Sequence, residues 1–286
     1  MINNDLKSVI ITGVSTGIGR SLACVFAQNG YLVFGSVRNP EDAKRMEKLL
    51  GDRFFPLVFD VTDEVTVKRA AGLVSNVLGT NHLTGLINNA GISISGPVMY
   101  LSLDDFRRQF EVNLFGMIAV TKAFVPLLKA GEVPGQKAGR IINMGSVSGK
   151  IGFPFMAPYC ASKFAVEGFS ESLRRELMVY DIDVVVVAPG SVATPIWEKV
   201  PHPTSEVKNS DFGPFARRVY NSIVKMNKAG ILNSDMLAQK VFNIMEKKRP
   251  KTRYTYVKNK FREYIVPRYF LTAKMLDNII RKRLMR

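Results

Sequence analysis

Six runs of aliphatic and β-branched residues punctuate the first two thirds of the chain: 8–13 (SVIITG), 32–37 (LVFGSV), 55–61 (FPLVFDV), 85–91 (GLINNAG), 140–146 (RIINMGS) and 183–190 (DVVVVAPG). They run on without alternation, as strands covered on both faces do. Between them apolar residues recur at helical spacing over 17–29, 40–50, 63–78, 104–129 and 157–180. This order predicts an α/β fold: one doubly wound parallel sheet with helices on both faces and right-handed crossovers.

After residue 190 the rhythm changes. The stretch SVATPIWEKVPHPTSEVKNSDFG reads as a long loop, followed by helices over 213–229 and 234–248 and a last strand at 253–258. A long loop after a strand's carboxyl end lies where open α/β sheets bind ligands, so about 191–232 is expected to be a substrate lid. Its apolar residues are Ile196, Trp197, Val200, Phe212, Phe215, Val219, Tyr220, Ile223 and Met226. They fit an apolar substrate and, equally, the packing of two helices. The pattern divides the chain into a catalytic domain, 1–258, and a C-terminal tail, 259–286.

Charge sharpens that division. The chain carries +16, and residues 247–286 hold 14 Lys or Arg against Glu263 and Asp277, a net +12. The body is therefore nearly balanced, and a nucleic-acid-binding face is not expected. Within the tail, Leu271, Met275, Leu276, Ile279, Ile280 and Leu284 can share one face of a helix starting near 270, with Lys274, Arg281, Lys282 and Arg283 around the rest. With Tyr264, Tyr269 and Phe270 just ahead, this basic amphipathic segment suits peripheral membrane contact. A tail docked on its own body fits the same pattern. The start of the chain shows no secretory signal and no run of about 18 apolar residues, so no transmembrane span is expected. Two cysteines, Cys24 and Cys160, and two histidines, His82 and His202, offer no metal spacing. A reducing, cytoplasmic setting is the default, and no metal is expected.

The first strand runs into TGVSTGIG, 12–19, and then into a helix. Gly13, Gly17 and Gly19 suit a tight turn against a pyrophosphate, Ser15 and Thr16 add hydroxyls, and the helix start offers free N–H groups. This is the sequence sign of a Rossmann-type dinucleotide site. An acid about twenty residues on would favour NAD. Ser36 and Val37 stand there instead, followed by Arg38, whose guanidinium suits a 2′-phosphate. NADP(H) is therefore the expected cofactor, with NAD(H) second. Asp60, closing the third apolar run, could meet the adenine amino group, or simply form its own turn.

Tyr159 and Lys163 lie four apart in PYCASKFAVEGF and share a helical face, with small residues between them. A free phenol titrates near pH 10, and an ammonium beside it should lower that value towards useful acid–base chemistry. Lys163 could also hold the nicotinamide ribose. Ser146 closes the fifth run, where its hydroxyl could hold a substrate oxygen. Asn113, a poor helix-interior residue, could bend its helix or hold a water.

These motifs together resemble the short-chain dehydrogenase/reductase family, on TGVSTGIG, NNAG (88–91), Asn113, Ser146, YCASK (159–163) and PG (189–190) with Thr194. The resemblance runs over about 7–200. SVRNPE and the basic extension look like its retinol and 17β-hydroxysteroid dehydrogenase branch. It implies a catalytic tetrad of Asn113, Ser146, Tyr159 and Lys163, from which nothing here departs. It also implies cofactor contacts at Gly13, Ser15, Thr16, Gly17, Ile18, Gly19, Arg38, Asp60, Val61, Asn89, Ala90, Gly91, Tyr159, Lys163, Pro189, Gly190, Val192 and Thr194. The expected activity is NADP(H)-dependent interconversion of an alcohol and a ketone or aldehyde on a steroid, retinoid or fatty carbonyl. A homo-oligomer, dimer or tetramer, joined through 104–129 and 157–180, is implied as well. The competing reading is a non-catalytic NADP-binding redox sensor, against which an intact tetrad argues. Epimerases and dehydratases of related fold carry larger C-terminal domains than this length allows.

Overall fold

The computed structural model describes residues 6–129, 137–195, 204–229 and 232–285. Ile196, Trp197, Val200 and His202, and the side chains of Ile223, Met226 and Leu284, lie outside the described residues. Seven strands form one sheet: β1 (Ser8–Ile11), β2 (Leu32–Val37), β3 (Phe54–Val58), β4 (Gly85–Asn88), β5 (Arg140–Met144), β6 (Asp183–Pro189) and β7 (Arg253–Tyr256). They are all parallel, in the order β3-β2-β1-β4-β5-β6-β7. The order reverses between β1 and β4, which opens a crevice at the strands' carboxyl ends.

Alternate residues of each strand point to opposite faces. Val9, Ile11, Val33, Val37, Ile142, Val185 and Val187 pack under α1 (Gly17–Gln28), α2 (Pro40–Leu50) and α9 (Ser234–Met245). Ile10, Phe34, Leu86, Ile141 and Val184 pack under α3 (Glu64–Leu78), α5 (Gly116–Leu128) and α6 (Ala157–Glu176). With both faces of β1, β2, β4 and β6 covered, unbroken apolar runs are what burial requires. Local caps set the helix starts. Asn39 accepts from Asp42 N–H ahead of α2, and Asp63 accepts from Val65 and Thr66 ahead of α3.

Several strands stop short of their apolar runs: β1 at Ile11, β3 at Val58, β4 at Asn88 and β5 at Met144. Backbone bonds continue one residue further at Thr12, Phe59 and Gly145, after which side chains take part in the bonding. Thr12 Oγ1, for example, accepts from Asn89 N–H and Ala90 N–H. The helix expected at 104–129 is α4 (Leu103–Phe110), a wider π turn (Glu111–Phe115) and α5 in continuous succession. By length and composition Leu103–Leu128 could cross a membrane, with a mean hydropathy of 1.4. Here it packs on β4 and α3, and its apolar length is that of a core helix.

The C-terminal segment differs most from expectation. The lid region contains α7 (Ser205–Lys208) and α8 (Gly213–Ala229). The tail begins with a wide helical stretch, Phe261–Phe270, breaks where Leu271 is extended, and resumes as α10 (Ala273–Met285) after Thr272 accepts from Met275 N–H. α10 rests on α8.

Candidate active site

The glycine turn leaves no spare room. A Cβ on Gly19 would fall 2.0 Å from the Gly13 carbonyl oxygen and 2.5 Å from Asn89 Nδ2. Gly13 and Gly17 have φ of +72° and +56°, and their α-carbons face Ala90 and Thr194. The turn thereby touches the segments after β4 and β6. Asn89 Nδ2 donates to the carbonyls of Thr12 and Gly13, and Ser36 Oγ accepts from Gly13 N–H. At the start of α1, Thr16 makes no side-chain cap and the first turn holds no acid. Those N–H groups can serve an anion. Arg38 is exposed just past β2, and Arg45 reaches back to the Ser15 carbonyl at 3.0 Å. Glycine cradle, uncapped helix start and exposed guanidinium fit a phosphorylated dinucleotide. Asp60 Oδ1 accepts from Thr62 N–H and Oγ1, so one of its oxygens is committed to its own turn. Val61 is buried against Gly116, and Gly190 N–H is held by the Tyr256 carbonyl. Ile18 packs against the core beneath α1, Pro189 closes β6, and Val192 is buried beyond it.

The four expected catalytic residues gather beside the carboxyl end of β5. Ser146 lies two residues past the strand and starts a short 3₁₀ turn, Val147–Gly149, where its Oγ accepts from Ser148 N–H at 3.1 Å. Its hydroxyl also lies near enough to Tyr159 to lower the phenol. Lys163 is buried, its Nζ 5.8 Å from the Tyr159 ring centre, and it donates to the Met144 carbonyl at 2.8 Å. Asn113 is buried in the π turn: Oδ1 accepts from Ile92 N–H at 2.8 Å, and Nδ2 donates to the Ile92 carbonyl and to Ser162 Oγ. Both ends of its amide are committed to protein, so the side chain braces the loop after β4 against α6. Gly91 lies against its Oδ1.

The electrostatics depart from expectation. Burial pushes the Tyr159 phenol above its ordinary value, and Ser146 pulls it back only partly. Lys163 is not among the groups that lower it here; its amine points to the Met144 carbonyl. Burial also lowers the Lys163 amine to about 8, while Glu167 works to raise it. Burial therefore outweighs the lowering expected from a neighbouring ammonium.

A cleft of about 630 Å³ opens at the start of α6, lined mainly by apolar side chains. Phe153, Pro154, Ala157 and Cys160 form one side; Phe215 of α8 and Asp277, Ile280 and Arg281 of α10 form the other. The loop on the first side is strained: Phe155 has φ +62°, and its carbonyl accepts from Gly96 N–H. Its ring meets Phe212, which also meets Tyr100. The motif reading missed Gln109, which is fully buried and bonds Ile92 and Ile94. Its place four residues before Asn113 was the available signal. It also missed Glu167, Arg253 and Tyr264. Tyr264, expected among the membrane-facing aromatics, is buried and bonded to Arg253 instead.

A doubly wound parallel sheet with a glycine-cradled helix start and a Ser–Tyr–Lys group at the carboxyl end of β5 defines a dinucleotide-dependent oxidoreductase. Residues 7–204 match the short chain dehydrogenase family. The chain belongs to that family, whose members interconvert alcohol and carbonyl groups. It is 35% identical over 279 residues, 98% of each chain, to an NADPH-dependent 3-dehydrocapnine reductase from Ornithobacterium rhinotracheale. The expected likeness to the retinol dehydrogenase branch is met by human retinol dehydrogenase 5, 40% identical over 66% of this chain and 57% of that one. A Brucella melitensis 3-ketoacyl-(acyl-carrier-protein) reductase complexed with NADH shares the fold, with a TM-score of 0.74 and 24% identity over 89% and 98% of the two chains.

Proposed function

We propose that this chain is an NADPH-dependent reductase of a ketone or aldehyde carried on an apolar body. The observation that carries the reading is the gathering of Ser146, Tyr159 and buried Lys163 beside the carboxyl end of β5, with an apolar cleft at the start of α6. Bound NADPH supplies the hydride. The glycine turn, Ser15, Thr16 and Ile18 take the pyrophosphate side, Arg38 the 2′-phosphate, and Asp60 and Val61 the adenine side. Asn89, Ala90, Gly91, Pro189, Gly190, Val192 and Thr194 border the nicotinamide half. NADH is the second choice. Ser146 holds the substrate oxygen and Tyr159 gives it a proton. Burial, which raises the phenol, supports Tyr159 as the proton donor in reduction. Lys163 holds the nicotinamide ribose and, with a water at the π turn around Asn113, returns a proton to Tyr159.

The end-to-end relative makes 3-dehydrocapnine the first substrate to try, ahead of retinal, steroids and long-chain ketones. Following NADPH absorbance across that panel tests the reading. Consumption with at least one apolar carbonyl, absent in Tyr159→Phe, is expected. Tight NADPH binding with no consumption on any carbonyl would instead favour the redox-sensor reading.

The tail bears on where such a substrate is met. Phe261, Tyr269, Phe270, Met275 and Ile279 are exposed among its basic residues. This supports peripheral contact with an anionic membrane face from the cytoplasmic side. Replacing Tyr269 and Phe270 by Ser should reduce co-sedimentation with phosphatidylserine vesicles; equal pelleting would end the membrane idea. Phe115 and Phe164 are exposed on the two helices of the expected oligomer contact, which supports a homodimer.

A further inference from the structure

We infer that Glu167 is a positioning residue for Lys163: a buried carboxylate one turn further along α6 that keeps the amine charged. The inference rests on the site reading above. Glu167 is only 7% exposed, and its surroundings are built around it. Arg253 Nε, from β7, donates to both of its oxygens at 2.9 and 3.0 Å, and Lys150 Nζ lies 3.5 Å from Oε2. Arg253 Nη1 donates in turn to Tyr264 OH at 2.9 Å, and its guanidinium lies 5.1 Å from that ring. The tail thereby anchors the cation that holds the carboxylate.

Glu167 also underlies the Ser146 turn. A Cβ on Gly149 would lie 3.0 Å from Glu167 Cγ and 2.7 Å from the Lys163 carbonyl oxygen, and one on Gly145 would lie 3.6 Å from Glu167 Oε1. The glycines on both sides of Ser146 thus let the turn settle onto the 163–167 segment. The charged and titratable groups about this point are Tyr159, Cys160, Lys163 and Glu167 on α6, Lys150 after the Ser146 turn, Arg253 on β7 and Tyr264 in the tail. Glu167 is the anion among three cations. Without it, Lys150, Lys163 and Arg253 share a partly buried volume with no counter-charge. The one free to shed its proton most readily is Lys163, which burial already disfavours as a cation.

The sign follows. Lys163 is an ammonium below its titration point and loses the proton as pH rises through about 8. Any affinity that needs the ammonium is present on the acid side and lost on the alkaline side. NADPH affinity should be measured by fluorescence titration, with kcat/KM for carbonyl reduction, from about pH 6 to about pH 10. Glu167→Gln should move the alkaline limb down by about one pH unit, an approximately fivefold loss of affinity near pH 8, with the acid plateau unchanged. A merely structural role would lower affinity equally at every pH. Glu167→Asp, which retracts the charge by one methylene, should move the limb less, and it replaces the Gln variant if circular dichroism shows that variant unfolded. An unmoved limb in the folded variant overturns the inference. Lys163→Met separates the two readings: a limb that persists there belongs to another group and undoes the site assignment itself.

Discussion

The glycine turn and the cleft wall formed by α8 and α10 are, in the function proposed above, the surfaces met by dinucleotide and substrate. They differ in how much freedom they leave. At the turn the chain approaches itself so closely that one methyl on Gly19 would overlap the Gly13 carbonyl. At the wall, Asp277, Ile280 and Arg281 border an open cleft of about 630 Å³. A surface without slack serves a ligand that does not change, whereas a loose one can follow a changing substrate. The proposed chemistry lies on the tight side, where Ser146, Asn113 and Lys163 are all buried.

Four substitutions would break or sharpen that contrast. Tyr159→Phe should cut turnover by about a thousandfold while leaving NADPH affinity within about twofold, read from steady-state rates and fluorescence titration. Substantial residual turnover would move the acid–base role elsewhere. Arg38→Asp should swing the NADPH-to-NADH preference by roughly ten- to a hundredfold, because a charge-assisted contact becomes a repulsion. An unchanged ratio would remove Arg38 from the cofactor site. Gly19→Ala should cost about 2–4 kcal/mol of stability, seen as a lower Tm, since the overlap is with backbone rather than a flexible side chain. Ile280→Asp should raise KM for a long-chain ketone by roughly three- to tenfold and leave a short ketone unaffected. Equal effects on both would mean that α10 does not line the substrate path.

Much of the tight side was legible along the chain. Apolar, Val-containing runs marked β2 and β6 almost to the residue, and the spacing of Tyr159 and Lys163 put both on one face of α6. Strand ends were less legible, because Thr12 and Asn89 read as strand but bond to each other's segments, and Ser146 reads as strand but starts a 3₁₀ turn. The helix at 103–128 was legible as one element, yet its π turn was visible only as an awkward Asn113. The state of Tyr159 could not be read at all. Spacing placed an ammonium nearby, but it could not show that Lys163 bonds the Met144 carbonyl or that burial outweighs its influence. Tyr264 looked like one more tail aromatic, and its partner Arg253 looked like one more tail cation.

By itself the order of amino acids determined the parallel sheet, the glycine cradle and the Tyr–Lys face, because each is written in local periodicity or in residues confined to one turn. Only the folded chain decided which charges meet. Glu167 and Arg253 are 86 positions apart, and they pair because β7 is laid beside β6 and against α6. Electrostatic influence falls with distance through space and rises with burial, and neither quantity is written in distance along the chain.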